Sequence, residues 1–323
     1  MQQERFWFSD CYRRSLVDMH IADWNPAFLS EFSPEDYYEN LCRAHIQSPM
    51  IYLQSHAGNC YFPTKVGHLH EGLRGREDAI RRLVSLCRHG GMHPVGYYSL
   101  IYNTYEEDRH PDWRLTDRDD GSTGRSRGGR YGLVCPNNPN YRVFLEAQIR
   151  EMADYFREDG QLMLDGMFYD MTFWPTICRC EHCRRRYAAE TGKLPEQMPV
   201  EENWKNPDFV AYVHQRARWM GEFAAYVTDL TRKIMPGVSV EHNYASAISG
   251  SSALLGVSEL VNDACDYTGG DLYGSLYNHS FTAKYYYGVT QHQPFEYMTC
   301  RCENSLKATR SPRPTSVWPW RCF

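Results

Sequence analysis

Short apolar runs that end near an acid or a histidine recur along this chain, and stretches with helical spacing separate them. The sharpest is Gly166-Met-Phe-Tyr-Asp170, where Met167, Phe168 and Tyr169 carry no charge and Asp170 stands at the C-terminal end, ahead of Trp174-Pro175. Uncharged runs of this length suit a strand covered on both faces. Leu16–His20, Pro49–Leu53 (followed by His56), Pro94–Leu100, Val238–Glu241, Cys265–Asp271 and Phe295–Thr299 read the same way. Between them, Ser33 caps a helix that opens Pro34-Glu-Asp36, and Arg76–His89 carries Ile80, Leu83, Val84 and Cys87 at helical spacing. Further helices are expected over Tyr141–Phe156 with Asn138 or Pro139 at the start, from Asn206-Pro207 to about Met235, and over Ser275–Gln291.

Seven strands alternating with helices predict a parallel sheet closed by helices, a (β/α)8 barrel of the TIM type. A doubly wound sheet would need an early phosphate-binding glycine turn, and none is present. In a barrel all strand C-termini meet on one face, which carries the chemistry. His20, His56, Asp170, Glu241, Asp271 and Glu296 are therefore expected on one rim, with Trp174 on the wall of the cleft. Residues 103–130 form a long polar loop. Residues 1–303 read as the barrel domain. Residues 304–323 hold no acid and three prolines, so the eighth strand is missing from the pattern and the tail reads as irregular, truncated or frame-shifted.

Hydrophobic residues make up 42% and charged residues 23% of the 323, a globular balance. The net charge of -5 and the lack of a long basic run argue against nucleic acid as a partner. The 24 Tyr and 8 Trp are many, and aromatic platforms suit a carbohydrate ligand as well as a large core. Neither a signal peptide nor a membrane span stands out, so a soluble, cytoplasmic protein is expected, with a homo-oligomer left open and no organic cofactor implied. Twelve scattered cysteines then argue for free thiols and a metal site rather than a disulfide framework. Cys178-Arg-Cys180-Glu-His-Cys183 sets three sulfurs at a spacing that suits tetrahedral zinc. Cys135 or His182 would be the fourth ligand, and four sulfurs would make the site structural, because no position stays open for water.

The motifs His20, Tyr52-Leu-Gln-Ser-His56, Tyr61-Phe-Pro-Thr-Lys65, Gly96-Tyr-Tyr-Ser-Leu100, Asp165–Asp170 and Phe295-Glu296-Tyr297, taken in order, resemble the barrel of the α-L-fucosidase-related glycoside hydrolases. The nearest likeness is to the hypothetical glycosyl hydrolase 6 group, which includes family 151, with family 29 more distant. The cysteine pattern is similar to the zinc cluster of family 42 β-galactosidases, which favours Cys135 over His182. The resemblance implies a retaining exo-hydrolase with Asp170 as nucleophile, His20 and His56 holding sugar hydroxyls, and Tyr97 or Tyr98 beside them. A β-galactosidase-like hydrolase, or an inactive barrel that only binds carbohydrate, is the alternative. The acid/base does not transfer by resemblance. Glu241 and Glu296 are both candidates, and Glu296 is favoured because Phe295 and Tyr297 would raise its pKa while a charged His242 would lower that of Glu241.

Overall fold

The computed structural model describes residues 6–25, 27–117, 121, 130–243, 259–272, 276–290, 294–296, 298–300 and 321–322. The main sheet contains β1 (Arg14–Leu16), β2 (Ser48–Tyr52), β3 (Val95–Ser99), β4 (Gly166–Asp170), β5 (Ser239–His242), β6 (Asp271–Leu272), β7 (Met298–Cys300) and β8 (Arg321–Cys322). Its order is β6-β7-β8-β1-β2-β3-β4-β5. From β1 to β5 every neighbouring pair is parallel, as is β6 with β7. The fold is α/β with the strand order of a TIM-type barrel.

Helices pack outside the sheet: α1 (Pro34–Arg43), α2 (Ala79–His89), α3 (Thr104–Arg109), α4 (Pro139–Tyr155), α5 (Glu181–Thr191), α6 (Pro207–Ile234), α7 (Glu259–Asn262) and α8 (Leu276–Val289). Their starts follow local chemistry. Ser33 accepts from Asp36 N–H at 3.1 Å, Asn138 accepts from Asn140 and Tyr141, and Asn206 accepts from Asp208 at 3.0 Å. Each of these caps precedes a proline at the first helical position, where no N–H is needed. The cysteine-rich stretch runs into α5, whose N-cap is Cys180 and whose C-cap is Gly192 with φ +71°. The expected polar loop from 103 contains α3, capped by Asn103.

Three expectations change. β1 lies at Arg14–Leu16, because its ladder partner on β2 starts at Ser48, so His20 sits four residues past the strand and not at its end. The expected missing eighth position is filled by residues 321–322, which pair antiparallel with both β1 and β7. The rest of the expected irregular tail, residues 304–320 and 323, lies outside the described residues. Finally, the barrel is not closed by a ladder between β5 and β6 among the described residues. The stretch before β6 spans that seam with single contacts: Asp266 N–H to Val240 O at 2.9 Å, and a bridge from Thr268 to Phe295.

Strand register sets which side chains meet. Tyr52, Tyr97, Phe168 and Glu241 are paired in sequence across β2 to β5 and form one inner row. Their rings stack, Tyr52 on Tyr97 at 3.9 Å and Tyr97 on Phe168 at 5.7 Å. Ser99 and Asp170 pair in the next inner row toward the C-terminal rim, and Asn243, next after β5, joins them by donating its N–H to Tyr169 O at 2.8 Å. The alternate residues Tyr98, Tyr169 and His242 point outward to the helices. No helix among the described residues is long and apolar enough to cross a membrane.

Candidate active site

Asp170 is buried at the end of β4 with its carboxylate tied on both oxygens. Tyr97 donates its hydroxyl to Oδ2, while Oδ1 accepts from Asn243 Nδ2 at 2.7 Å and from the backbone N–H of Met171 at 2.8 Å. Met171 adopts φ +63°, a left-handed conformation uncommon for a side chain of this size, and it turns the chain sharply behind Asp170. His56 Nε2 stands 3.8 Å from Asp170 Oδ2.

The two histidines are stacked, ring centroids 3.6 Å apart at 22°. Their hydrogen bonds fix their protons. Ser99 gives its hydroxyl proton to Tyr102 O, so it accepts from His56, whose Nδ1 lies 2.7 Å away. His56 therefore carries a proton on Nδ1 and turns Nε2 toward Asp170. His20 Nδ1 accepts the His56 backbone N–H at 3.1 Å, so its proton is on Nε2, which faces Tyr52 Oη at 3.2 Å and Tyr97 Oη at 3.4 Å. Tyr52 in turn donates to Asp18 at 3.2 Å. A chain of polar contacts thus runs from Asp18 through Tyr52, His20 and Tyr97 to Asp170. Asp170, His20 and Tyr97 offer a nucleophilic oxygen and hydrogen-bonding groups at one rim, which is the equipment for binding and attacking a polyhydroxylated ligand.

Glu241 and Glu296 form a second cluster one row toward the N-terminal side. Glu241 is fully buried, the fourth member of a row whose other three are aromatic. Arg14 Nη1 meets Glu296 Oε2 at 2.5 Å, while its other guanidinium nitrogens donate to Phe8 O and Cys11 O. Tyr267 lies under the same guanidinium, 4.7 Å from ring centre to Cζ. Burial, and then the neighbouring Glu296, push the Glu241 carboxyl well above the usual range. Burial also raises Glu296, but Arg14 opposes it. Both carboxyls are therefore raised, and Glu296 is the one in direct contact with a cation. His242 does not charge its neighbour: it points outward, 3.0 Å from Thr172 and 2.9 Å from Thr228, and burial lowers its pKa to about 3.

The remaining expected residues disperse. Tyr98 is on the outer face of β3, edge-on to Tyr169 at 6.2 Å, because strand side chains alternate and Tyr97 takes the inner side. Trp174 is 1% exposed, donates to Arg216 O on α6 at 2.8 Å and is covered by the Arg216 guanidinium, so it is packed against the helix instead of lining an open cleft. Asp271 lies in β6 near Tyr286. The sequence reading missed Asn243, Ser99, Tyr52 and Arg14. A signal existed for Ser99, two residues beyond Tyr97 on one strand face, and for Asn243, two beyond Glu241.

On a different part of the chain, Cys135, Cys178, Cys180 and Cys183 bring four sulfurs within 4.8 Å of one another. Cys135 Sγ is 3.5 Å from Cys180 and 3.6 Å from Cys183. Tetrahedral Zn–S bonds of about 2.3 Å place sulfurs about 3.8 Å apart, so the set fits such an ion. Asn137 Nδ2 donates to Cys183 Sγ at 3.3 Å, and Arg142 and Arg216 lie near the cluster. His182 lines a surface cavity of about 310 Å³ with Arg114, Arg179 and Arg184. The four cysteines could hold a metal.

Residues 33–171 match the family model described as hypothetical glycosyl hydrolase 6, a span that contains β2 to β4 and ends one residue past Asp170. Over that span the chain is similar to this family. Among solved structures, α-L-fucosidase isoenzyme 2 from Paenibacillus thiaminolyticus is 20% identical with a TM-score of 0.59, over 81% of this chain and 40% of that one. The PgaB (BpsB) glycoside hydrolase domain from Bordetella bronchiseptica is 14% identical with a TM-score of 0.62, over 85% and 79%. The β-galactosidase from Rahnella sp. R3 is 14% identical with a TM-score of 0.61, over 86% and 44%. These likenesses establish the fold. The chain spans two-fifths of the length of the fucosidase. No curated protein matches it.

Proposed function

We propose that this barrel, its eighth strand position taken by residues 321–322, is the catalytic part of a retaining exo-glycoside hydrolase that acts on α-L-fucosides. The observation that carries this reading is the seat of Asp170: a carboxylate at the C-terminal end of β4, held by Tyr97 and Asn243 and flanked by the stacked His20–His56 pair. Asp170 attacks the anomeric carbon, and a glycosyl ester forms as the C–O bond to the leaving group breaks. A carboxylic acid from the Glu241–Glu296 pair protonates the departing oxygen. As carboxylate it then takes a proton from water, which attacks the ester and frees the sugar and Asp170. His20 and His56 would grip ring hydroxyls, and Tyr97 would steady Asp170 in the charged state that attack requires.

The histidine–aspartate group also brings three ligand atoms within 4.8 Å of one another. Asp170 already accepts three hydrogen bonds there, which favours the sugar reading over a metal at that point. Zinc is assigned to the four cysteines as a structural ion. It would tie the segment before α4 to the start of α5, and all four positions would be filled by sulfur.

Hydrolysis of aryl α-L-fucoside and aryl β-D-galactoside by the purified protein, with Asp170→Asn as control, tests the assignment. Release from the fucoside alone, lost in the control, is expected. Release from the galactoside alone replaces the substrate, and no release from either leaves a barrel that does not hydrolyse these glycosides.

A further inference from the structure

The space between Arg14, Glu241, Glu296 and Tyr267 holds two carboxyls and one guanidinium, shut away from water. Glu241 is 0% and Glu296 5% exposed, and the Arg14 side chain is 9% exposed. Three features make the set asymmetric. Arg14 touches Glu296 at 2.5 Å and its other two nitrogens donate to Phe8 O and Cys11 O, so it is held in place by the N-terminal turn and by the rings of Trp7 and Tyr267. Glu241 has no such cation; the groups that face it are Glu296, Tyr267, Cys265 and Tyr286, with Arg14 beyond. Gly269 closes its other side so tightly that a Cβ there would fall 1.9 Å from Glu241 Oε1. The hydrogen-bonding neighbours of the Glu241 carboxyl are Tyr267 and Glu296 itself.

Two buried carboxylates with one cation leave an uncompensated charge, which a dry interior does not tolerate, and the economical neutral state carries one proton. We propose that Glu296, anchored by Arg14, is a positioning residue that keeps this single proton on Glu241, so that Glu241 meets the substrate as the acid. The catalytic half rests on the hydrolase reading above; the one-proton unit itself does not. Asn243 links the unit to the nucleophile, since it follows Glu241 by two residues on the same strand face and donates to Asp170 Oδ1 at 2.7 Å. Burial and the nearby Glu296 both favour the neutral form of Glu241, in keeping with this arrangement.

The test has an arm that needs no substrate. Infrared difference spectra at neutral pH, wild type minus variant, report the C=O stretch of a protonated carboxyl. The band is expected to vanish in Glu241→Gln and equally in Glu296→Gln, because each leaves one carboxyl and one cation. Arg14→Met, which removes the cation, should strengthen it, and this second variant guards against a glutamine variant that does not fold. A band that persists in Glu296→Gln but is lost in Glu241→Gln means burial alone protonates Glu241, and overturns the proposal; so does a band unchanged in all three. In the catalytic arm, Glu296→Gln takes away the negative neighbour, and the alkaline limb of kcat/KM should move down by about one pH unit or more. An unmoved limb with the infrared result intact would refute the catalytic role of the unit. Absence of any hydrolysis in wild type with the infrared result intact would refute the hydrolase reading alone.

Discussion

Tyr97 gives its phenolic proton to Asp170, and the same phenolic oxygen lies 3.4 Å from His20 Nε2. One hydroxyl therefore steadies Asp170, the proposed nucleophile, and touches His20, which in the same proposal would grip the sugar. Burial and the adjacent Asp170 carboxylate keep the phenol protonated, its pKa raised well above the usual value.

Tyr97→Phe keeps the stacked ring and removes only the hydroxyl. We expect kcat to fall about 100-fold, the scale for loss of one aimed donor in a closed site, with far-UV circular dichroism unchanged. Steady-state kinetics on an aryl fucoside check this. A kcat within twofold of wild type would show that the hydroxyl does not act on Asp170 during turnover.

The cysteine cluster predicts about one zinc per chain by elemental analysis of purified protein. Chelation, or Cys135→Ser, should release the ion and lower the melting temperature by roughly 5 °C or more, because the bond energy of a structural metal is folding energy. Zinc-free protein of unchanged stability would mean that the four thiols pack without an ion.

The strands were legible because buried parallel strands are written as uncharged runs, and Asp170 was legible because it ends the clearest of them. The choice between Tyr97 and Tyr98 was also legible in principle: Ser99 pairs with Asp170, so period two puts Tyr97 and not Tyr98 on the Asp170 face. Trp174 misled because a tryptophan after a catalytic strand reads equally as a sugar platform or as a core residue, and α6, forty residues on, decides for the core. Arg14 was not legible at all. Its partner Glu296 is 282 residues away, and no local pattern reports a contact of that range. That contact also distinguishes the two glutamates, since it sets a guanidinium directly on Glu296.

His242 makes a pH prediction. Its folded pKa, about 3, lies below the ordinary value of 6.5. A histidine held neutral in the folded state stabilises fully above its unfolded pKa, and that stability is lost as pH falls below about 6.5, where only the unfolded chain takes up the proton. Between pH 7 and 5 the loss is of the order of 2 kcal/mol for this group. Glu241 works the other way, because its raised pKa makes the fold relatively more stable as pH falls toward 4.5. Comparing urea midpoints of wild type and His242→Gln at pH 7 and 5 isolates the histidine. The variant should be less stable at pH 7 and lose less on acidification; equal losses would show that His242 is not held neutral.

Gly269→Ala tests how tightly the carboxyl pair is enclosed. The new Cβ would fall 1.9 Å from Glu241 Oε1 and 3.0 Å from Glu296 Cβ. Overpacking of this kind costs about 1–3 kcal/mol, read as a lower urea midpoint at an unchanged slope. A neutral result would mean that the seam between β5 and β6 opens freely.

The last prediction separates the two glutamates by chemistry. An acid/base is needed twice, to protonate the leaving group and then to activate water. With a good leaving group the first step survives its removal, and the glycosyl-enzyme accumulates because water is no longer activated. Azide is an anion that needs no base, so it should restore turnover in the variant that lacks the acid/base and do nothing for one that lacks a positioning residue. Glu296 is engaged by Arg14, and Glu241 is the carboxyl whose surroundings favour the neutral acid. Azide is therefore expected to rescue Glu241→Ala, with a glycosyl azide as product, and to leave Glu296→Ala unchanged. Asp170→Asn should show no turnover with or without azide, since its amide cannot form the glycosyl ester. Rescue confined to Glu296→Ala would exchange the roles of the two residues, and turnover persisting in Asp170→Asn would remove Asp170 from the mechanism.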